Sequence, residues 1–131
     1  MLKSFMNSST KLLIGIIAFG VIIFAISKYS ANAGPGEYDE FAKCLTEKGV
    51  TMYGVYWCPH CQNQKKLFGS SVKYINYVEC DPRGDNANPD LCKEKGVTGY
   101  PMWELSDGSF ASGEQSLNSL ASKSGCILSQ E

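Results

Sequence analysis

The chain falls into two stretches with different hydrophobic patterns. From Leu12 to Ile26 every position is apolar or glycine, 15 residues in succession. Such a run has no polar face on which a helix of a small domain could meet water. Beyond Gly34-Pro35-Gly36 the pattern turns periodic. Tyr38, Phe41, Ala42 and Leu45 recur at helical spacing, with Gly49 where a helix would be capped. Val50–Tyr56 reads as a strand, rich in β-branched and aromatic residues. Cys58-Pro59 opens a helix, proline being favoured in the first turn, and Val72–Val78 reads as the next strand. After the polar loop 81–87, Asn88-Pro89 starts a short helix that stops at Gly96. Met102–Leu105 and Ser109–Ala111 flank Ser106-Asp107-Gly108 as a hairpin, and Leu117, Leu120 and Ala121 mark a last helix ending at Gly125. The predicted order is α-βα-βα-ββ-α, an α/β sheet with a parallel part and a hairpin edge.

The expected organisation is a membrane anchor or signal peptide over residues 1–33, a linker at 34–36 and one domain over 37–131. The 15-residue run would be about 22 Å long as a helix, and extension to Tyr29 brings it to roughly 27 Å, near the roughly 30 Å of a bilayer core. Lys28 could snorkel and Tyr29 sit among headgroups, so residues 12–29 are expected to hold the chain in a membrane. The alternative is a cleaved signal peptide with Ala31-Asn32-Ala33 as its small-x-small site, cleavage following Ala33. A buried helix of the domain core is the third reading, and it would need a larger protein around it. Lys3 and Lys11 favour the inside, so either leading reading places the domain outside the cytoplasm, where disulfides persist.

Charge narrows the functional classes. The first 33 residues hold three of the 12 basic side chains and none of the 13 acidic ones, leaving 9 against 13, a net −4, on the domain. A nucleic-acid binder would show a basic face, so none is expected. With 44% hydrophobic and 19% charged residues the chain is not of the disordered class. All six cysteines lie between Cys44 and Cys126.

Two of these cysteines carry the candidate chemistry. Trp57-Cys58-Pro59-His60-Cys61 sits at the strand-to-helix junction. Cysteines at i and i+3 of a first helical turn lie on one face, so their sulfurs can meet. Cys58 at the helix start faces free backbone N–H groups and the positive end of the dipole, which favour the attacking thiolate. Cys61, one turn in, suits the resolving role, and His60 beside Cys58 could add charge or a hydrogen bond that lowers the thiol pKa further. A lower pKa stabilises the dithiol and makes the disulfide more oxidising. The competing readings are a structural disulfide, two unrelated core thiols, and a zinc or copper site recruiting Cys80 or Cys92. Zinc needs four ligands and His60 is the only histidine, so no metal is assigned.

The Trp57–Cys61 motif after a hydrophobic strand, with Val97-Thr98-Gly99-Tyr100-Pro101 some 40 residues on, resembles the thioredoxin fold. That resemblance implies a cis bond at Pro101, packed against the active cysteines, and a Tyr100 backbone free to pair with an extended substrate. Trp57 is expected to stand partly exposed beside the site. The stretch Met52–Lys66, the spaced Cys80 and Cys92, and Gly99–Trp103 together resemble, over residues 38–126, the thioredoxin-like domain fused to bacterial and plant vitamin K epoxide reductase homologues. The implied function is thiol–disulfide exchange with thiol-containing protein substrates, without a bound cofactor, in relay with a quinone-linked membrane oxidase. The chain has one hydrophobic segment, so that oxidase would be a separate chain. Many thioredoxins keep a buried acid six residues before the first cysteine; Met52 stands there.

For the other four cysteines three pairings are possible and spacing does not choose among them. The resemblance implies Cys80–Cys92, a clip across the polar loop, and Cys44–Cys126 follows by subtraction. A small buried thiol at Cys44 and a second redox pair at Cys80 and Cys92 are the alternatives. Run in reverse, the same dithiol would make a reductase or isomerase; a copper or zinc carrier is the non-enzyme alternative.

Overall fold

The computed structural model describes residues 8–30 and 36–129, and within the first helix the side chains of positions 9–24. The chain divides into two units, Met1–Gly34 and Pro35–Glu131.

The first unit is a single helix, α1, Ser8–Ser30. Large apolar side chains from Leu12 to Phe24 are exposed along it. Among the described residues no helix is long and apolar enough to cross a membrane, so the expected anchor finds no support there. Lys3, the Lys28 and Tyr29 side chains and the cleavage site Ala31–Ala33 lie outside the described residues.

The second unit runs α2 (Asp39–Glu47), β1 (Thr51–Gly54), α3 (Pro59–Leu67), a 3-10 turn (Gly69–Tyr74), β2 (Asn76–Glu79), α4 (Pro89–Glu94), β3 (Met102–Glu104), β4 (Phe110–Ser112) and α5 (Leu117–Ser124). The four strands form one sheet in the order β2-β1-β3-β4. β1 and β2 are parallel, Thr51 opposite Asn76 and Gly54 opposite Glu79, joined by the α3 crossover. β3 runs antiparallel to β1 and β4 to β3. This mixed α/β sheet is compatible with a thioredoxin-like fold.

Every residue of the central strand β1 is buried. Around it pack Phe41 and Leu45 of α2, Phe68 after α3 and Leu120 of α5, with Trp103 of β3 fully enclosed. Phe68 stacks on Phe41 at 6.1 Å between centroids and meets Trp103 at 6.2 Å, separations at which aromatic pairs attract beyond their area burial.

One element departs from the sequence reading. Val72–Tyr74, expected to begin a strand, belongs to the 3-10 turn, and β2 starts at Asn76. The reason is a pair of side-chain bonds from outside the segment. Thr46 Oγ1 donates to the Tyr74 carbonyl at 2.6 Å and accepts the Asn76 N–H at 3.0 Å. Ser71, fully buried, takes the Tyr38 N–H at 3.1 Å. These bonds satisfy backbone groups that a longer ladder would have used.

Two disulfides close the unit. Cys44–Cys126 joins α2 to the segment after α5, Cα atoms 6.0 Å apart, and Cys80–Cys92 joins the end of β2 to α4 at 5.8 Å.

Candidate functional site

The site begins where β1 ends. After Gly54 the chain turns, Cys58 N–H donating to the Val55 carbonyl at 3.1 Å, and Cys58 becomes the N-cap of α3 in an extended conformation. Pro59 occupies the first turn, where its missing N–H costs nothing and its fixed φ already suits the helix. This local chemistry sets Cys58 at the positive end of α3, among the orphan N–H groups of its first turn.

Cys58 and Cys61 are the two free cysteines. Cys58 is 7% exposed and Cys61 only 1%, so a partner can reach the first sulfur while the second is covered. Burial is the main reason that the Cys61 thiol is pushed up to about 12; a backbone hydrogen bond at Val55 works against it, and hydrogen bonding and charge from Cys58 add to the rise. In a Cys58→Ser variant burial persists, so Cys61 is expected to stay a thiol at neutral pH. Its alkylation by iodoacetamide should keep climbing about tenfold per pH unit through pH 10, whereas an ordinary cysteine levels off above its pKa of about 8.5. A plateau near pH 9 would refute the burial argument.

The opposite wall comes from the loop before β3. The Tyr100–Pro101 peptide bond is cis. Pro101 is fully buried, and its carbonyl accepts the Gly113 N–H at 2.8 Å. The Tyr100 carbonyl lies 3.8 Å from Cys58 Sγ. The fold therefore brings Tyr100 and Pro101 to Cys58 from 42 residues away.

Trp57 stands on the rim, 56% exposed, beside Tyr56 at 45%. Its indole N–H donates to Asp81 Oδ2 at 2.7 Å. Asp81 is in turn gripped by Arg83, whose Nε and Nη2 donate to its two oxygens at 2.9 and 2.7 Å and whose backbone N–H donates at 2.9 Å. Hydrogen bonds from the Arg83 side chain, then from Trp57, hold the Asp81 carboxyl well below the usual carboxylate range. The polar loop thus orients an aromatic at the site, a role its composition did not suggest.

His60 is largely exposed, and its Nδ1 lies 2.6 Å from Glu114 Oε1. A carboxylate at that distance compensates any positive charge on the ring. Glu114, a partner that the sequence reading did not single out, thus ties His60 to the segment before α5.

Gln64, also passed over, is the buried polar link behind the site. Its Oε1 accepts from the Gln115 N–H at 2.6 Å and from Trp103 Nε1 at 3.3 Å, and its Nε2 donates to the Gln115 carbonyl at 2.9 Å. It lies on the inner face of α3 three residues beyond Cys61, a helical spacing that could have flagged it.

Cys80 and Cys92 are buried and bonded to each other, as are Cys126, also buried, and Cys44. Among the described residues no group of three or more His, Cys, Asp or Glu side chains is placed to hold a metal ion.

No family model matches the chain. It is similar to the thiol-disulfide oxidoreductase LTO1 of Arabidopsis thaliana, 40% identical over 93 residues. The match takes in 68% of this chain and 24% of that protein, so the chain spans about a quarter of the length of the relative it matches.

Proposed function

We propose that the chain is an extracytoplasmic thiol–disulfide oxidoreductase of the thioredoxin-like type found with vitamin K epoxide reductase homologues, with Cys58 and Cys61 as its redox pair. The observation that carries this reading is the contrast among six cysteines. Four are closed into two disulfides, while Cys58 and Cys61 are free, one at the start of α3 and the other buried behind it. Two disulfides in a domain of this size fit an oxidising compartment.

In the oxidising direction a substrate thiolate bonds to Cys58 Sγ and the Cys58–Cys61 bond breaks, its electron pair leaving on Cys61. A second substrate thiolate then attacks the mixed disulfide, releasing oxidised substrate and the reduced dithiol. Trp57 and the Tyr100 backbone line the approach. A separate quinone-linked membrane oxidase would restore the disulfide by accepting the two electrons.

The test is the reduction potential of the pair. A value approaching the roughly −120 mV of DsbA supports an oxidant, and one near thioredoxin's roughly −270 mV would reverse the proposed direction.

A further inference from the structure

Breaking the Cys58–Cys61 bond leaves a thiolate on a sulfur that is 1% exposed, which makes a nearby proton donor valuable. The position six residues before Cys58 holds Met52, which has no proton to exchange. The other side of the sulfur is different. Lys65 lies one helical turn beyond Cys61, on the same face of α3. Its ammonium sits 3.4 Å from the centre of the Tyr77 ring. The Tyr77 hydroxyl donates to Glu79 Oε2 at 2.8 Å, and Glu79 Oε1 accepts the Asp81 N–H at 2.9 Å. Gly54 lets these groups approach: a Cβ there would lie 2.8 Å from Cys61 Sγ and 3.3 Å from the Tyr77 hydroxyl.

We propose that Lys65 is the proton-exchange partner of Cys61, held in place by the Tyr77 ring and the buried Glu79 carboxylate. The inference rests on the disulfide-exchange reading above. When substrate thiolate bonds to Cys58 and the electron pair of the broken bond leaves on Cys61, one proton passes from the Lys65 ammonium to Cys61 Sγ. The neutral amine then regains a proton from water. On re-oxidation the amine takes the Cys61 proton, and the two electrons leave with the disulfide-forming partner.

The charged and titratable groups around this exchange are few. Cys58 and Lys65 face Cys61 from α3, and Tyr77 and Glu79 adjoin them from β2, while β1 contributes backbone at Gly54 and Val55. Burial lowers the Lys65 ammonium from its ordinary value and so eases its deprotonation, while Glu79 and Cys61 pull in the opposite sense. Lysine suits such a role because partial burial shifts it readily, whereas arginine stays charged.

The experiment uses the oxidised full chain and a synthetic peptide carrying two reduced cysteines, with single-turnover exchange followed from pH 5 to 10. In the wild type the rate should rise with the peptide thiolate and bend over on the alkaline side, as Lys65 loses its proton. Lys65→Met and Lys65→Arg should both slow exchange at pH 7 by about 100-fold, as expected for loss of a positioned proton donor, and both should lack the bend. Circular dichroism and intact Cys44–Cys126 and Cys80–Cys92 bonds certify the fold; if Lys65→Met unfolds, Lys65→Arg decides. A wild-type rate and profile in Lys65→Arg would overturn the proposal, because charge alone would then suffice. So would an unaffected Lys65→Met. Absence of exchange in the wild type would instead overturn the disulfide-exchange reading itself, a distinct result.

Discussion

A Cys58→Ser variant is expected to lose exchange with disulfide substrates, and a Cys61→Ser variant to accumulate a mixed disulfide, Cys58 bonding one substrate sulfur while the other leaves as thiolate. The asymmetry follows from burial. At pH 7 an ordinary cysteine is a few per cent thiolate, whereas a thiol pushed up to about 12 is about 10⁻⁵ thiolate. With Cys58 removed, attack must come from Cys61, which loses the contributions of Cys58 but stays raised by burial, and the rate should fall by about 100-fold or more from the thiolate fraction. Access lowers it further, since Cys61 is 1% exposed. In Cys61→Ser the accessible sulfur remains but the resolving one is gone, so substrate stays attached. Non-reducing gels after mixing the reduced variants with a disulfide-bonded peptide, together with single-turnover rates, check both. Equal residual activity in the two variants would contradict the assignment of attack to Cys58.

The second large effect is on stability. Replacing Cys44 and Cys126 together with alanine opens a loop spanned by a sequence separation of 82. The chain-entropy estimate for a loop of that length is about 4.5 kcal/mol, against about 3 kcal/mol for Cys80–Cys92 at a separation of 12. A domain of this size has a total stability of roughly 5–15 kcal/mol, so the larger loss consumes much of it. The melting temperature should drop by about 15–30 °C, followed by circular dichroism with the remaining disulfide intact. The Lys48 ammonium, which donates to the Ser124 carbonyl at 2.8 Å, also ties the end of α2 to the end of α5. A drop of less than about 5 °C would mean that such contacts, and not the disulfide, hold the two helices together.

Both expectations depend on different parts of the sequence being legible. The element order was readable because periodicity and caps are local: Pro59 and Pro89 stand at helix starts, Asn88 accepts the Leu91 N–H, and Gly125 closes α5 in the left-handed conformation. The start of β2 was not readable, because the Thr46 hydroxyl that fixes it comes from α2, 28 and 30 residues earlier. A propensity summed along one segment contains no information about a donor on another.

The dithiol followed the same division. Cys58 and Cys61 at a helix start could be recognised from four consecutive residues, since spacing and helix geometry put both sulfurs on one face. Their unequal burial depended on how β1 and α3 pack. So did the companions of the site: Asp81 and Arg83 on Trp57, Glu114 on His60, and Lys65 with Tyr77 and Glu79 near Cys61. Each is an ordinary charged or polar residue in sequence and takes its meaning from a neighbour that folding supplies.

The sequence by itself determined the sheet class, the helix that carries the cysteines and the chemistry those cysteines can perform, because these rest on periods of two and 3.6 residues and on side chains a turn apart. Only the tertiary structure decided which cysteines pair, which sulfur is the less buried and which charged and polar groups gather near it. Those are distances between segments tens of residues apart, set by packing around Trp103 and the buried strand β1.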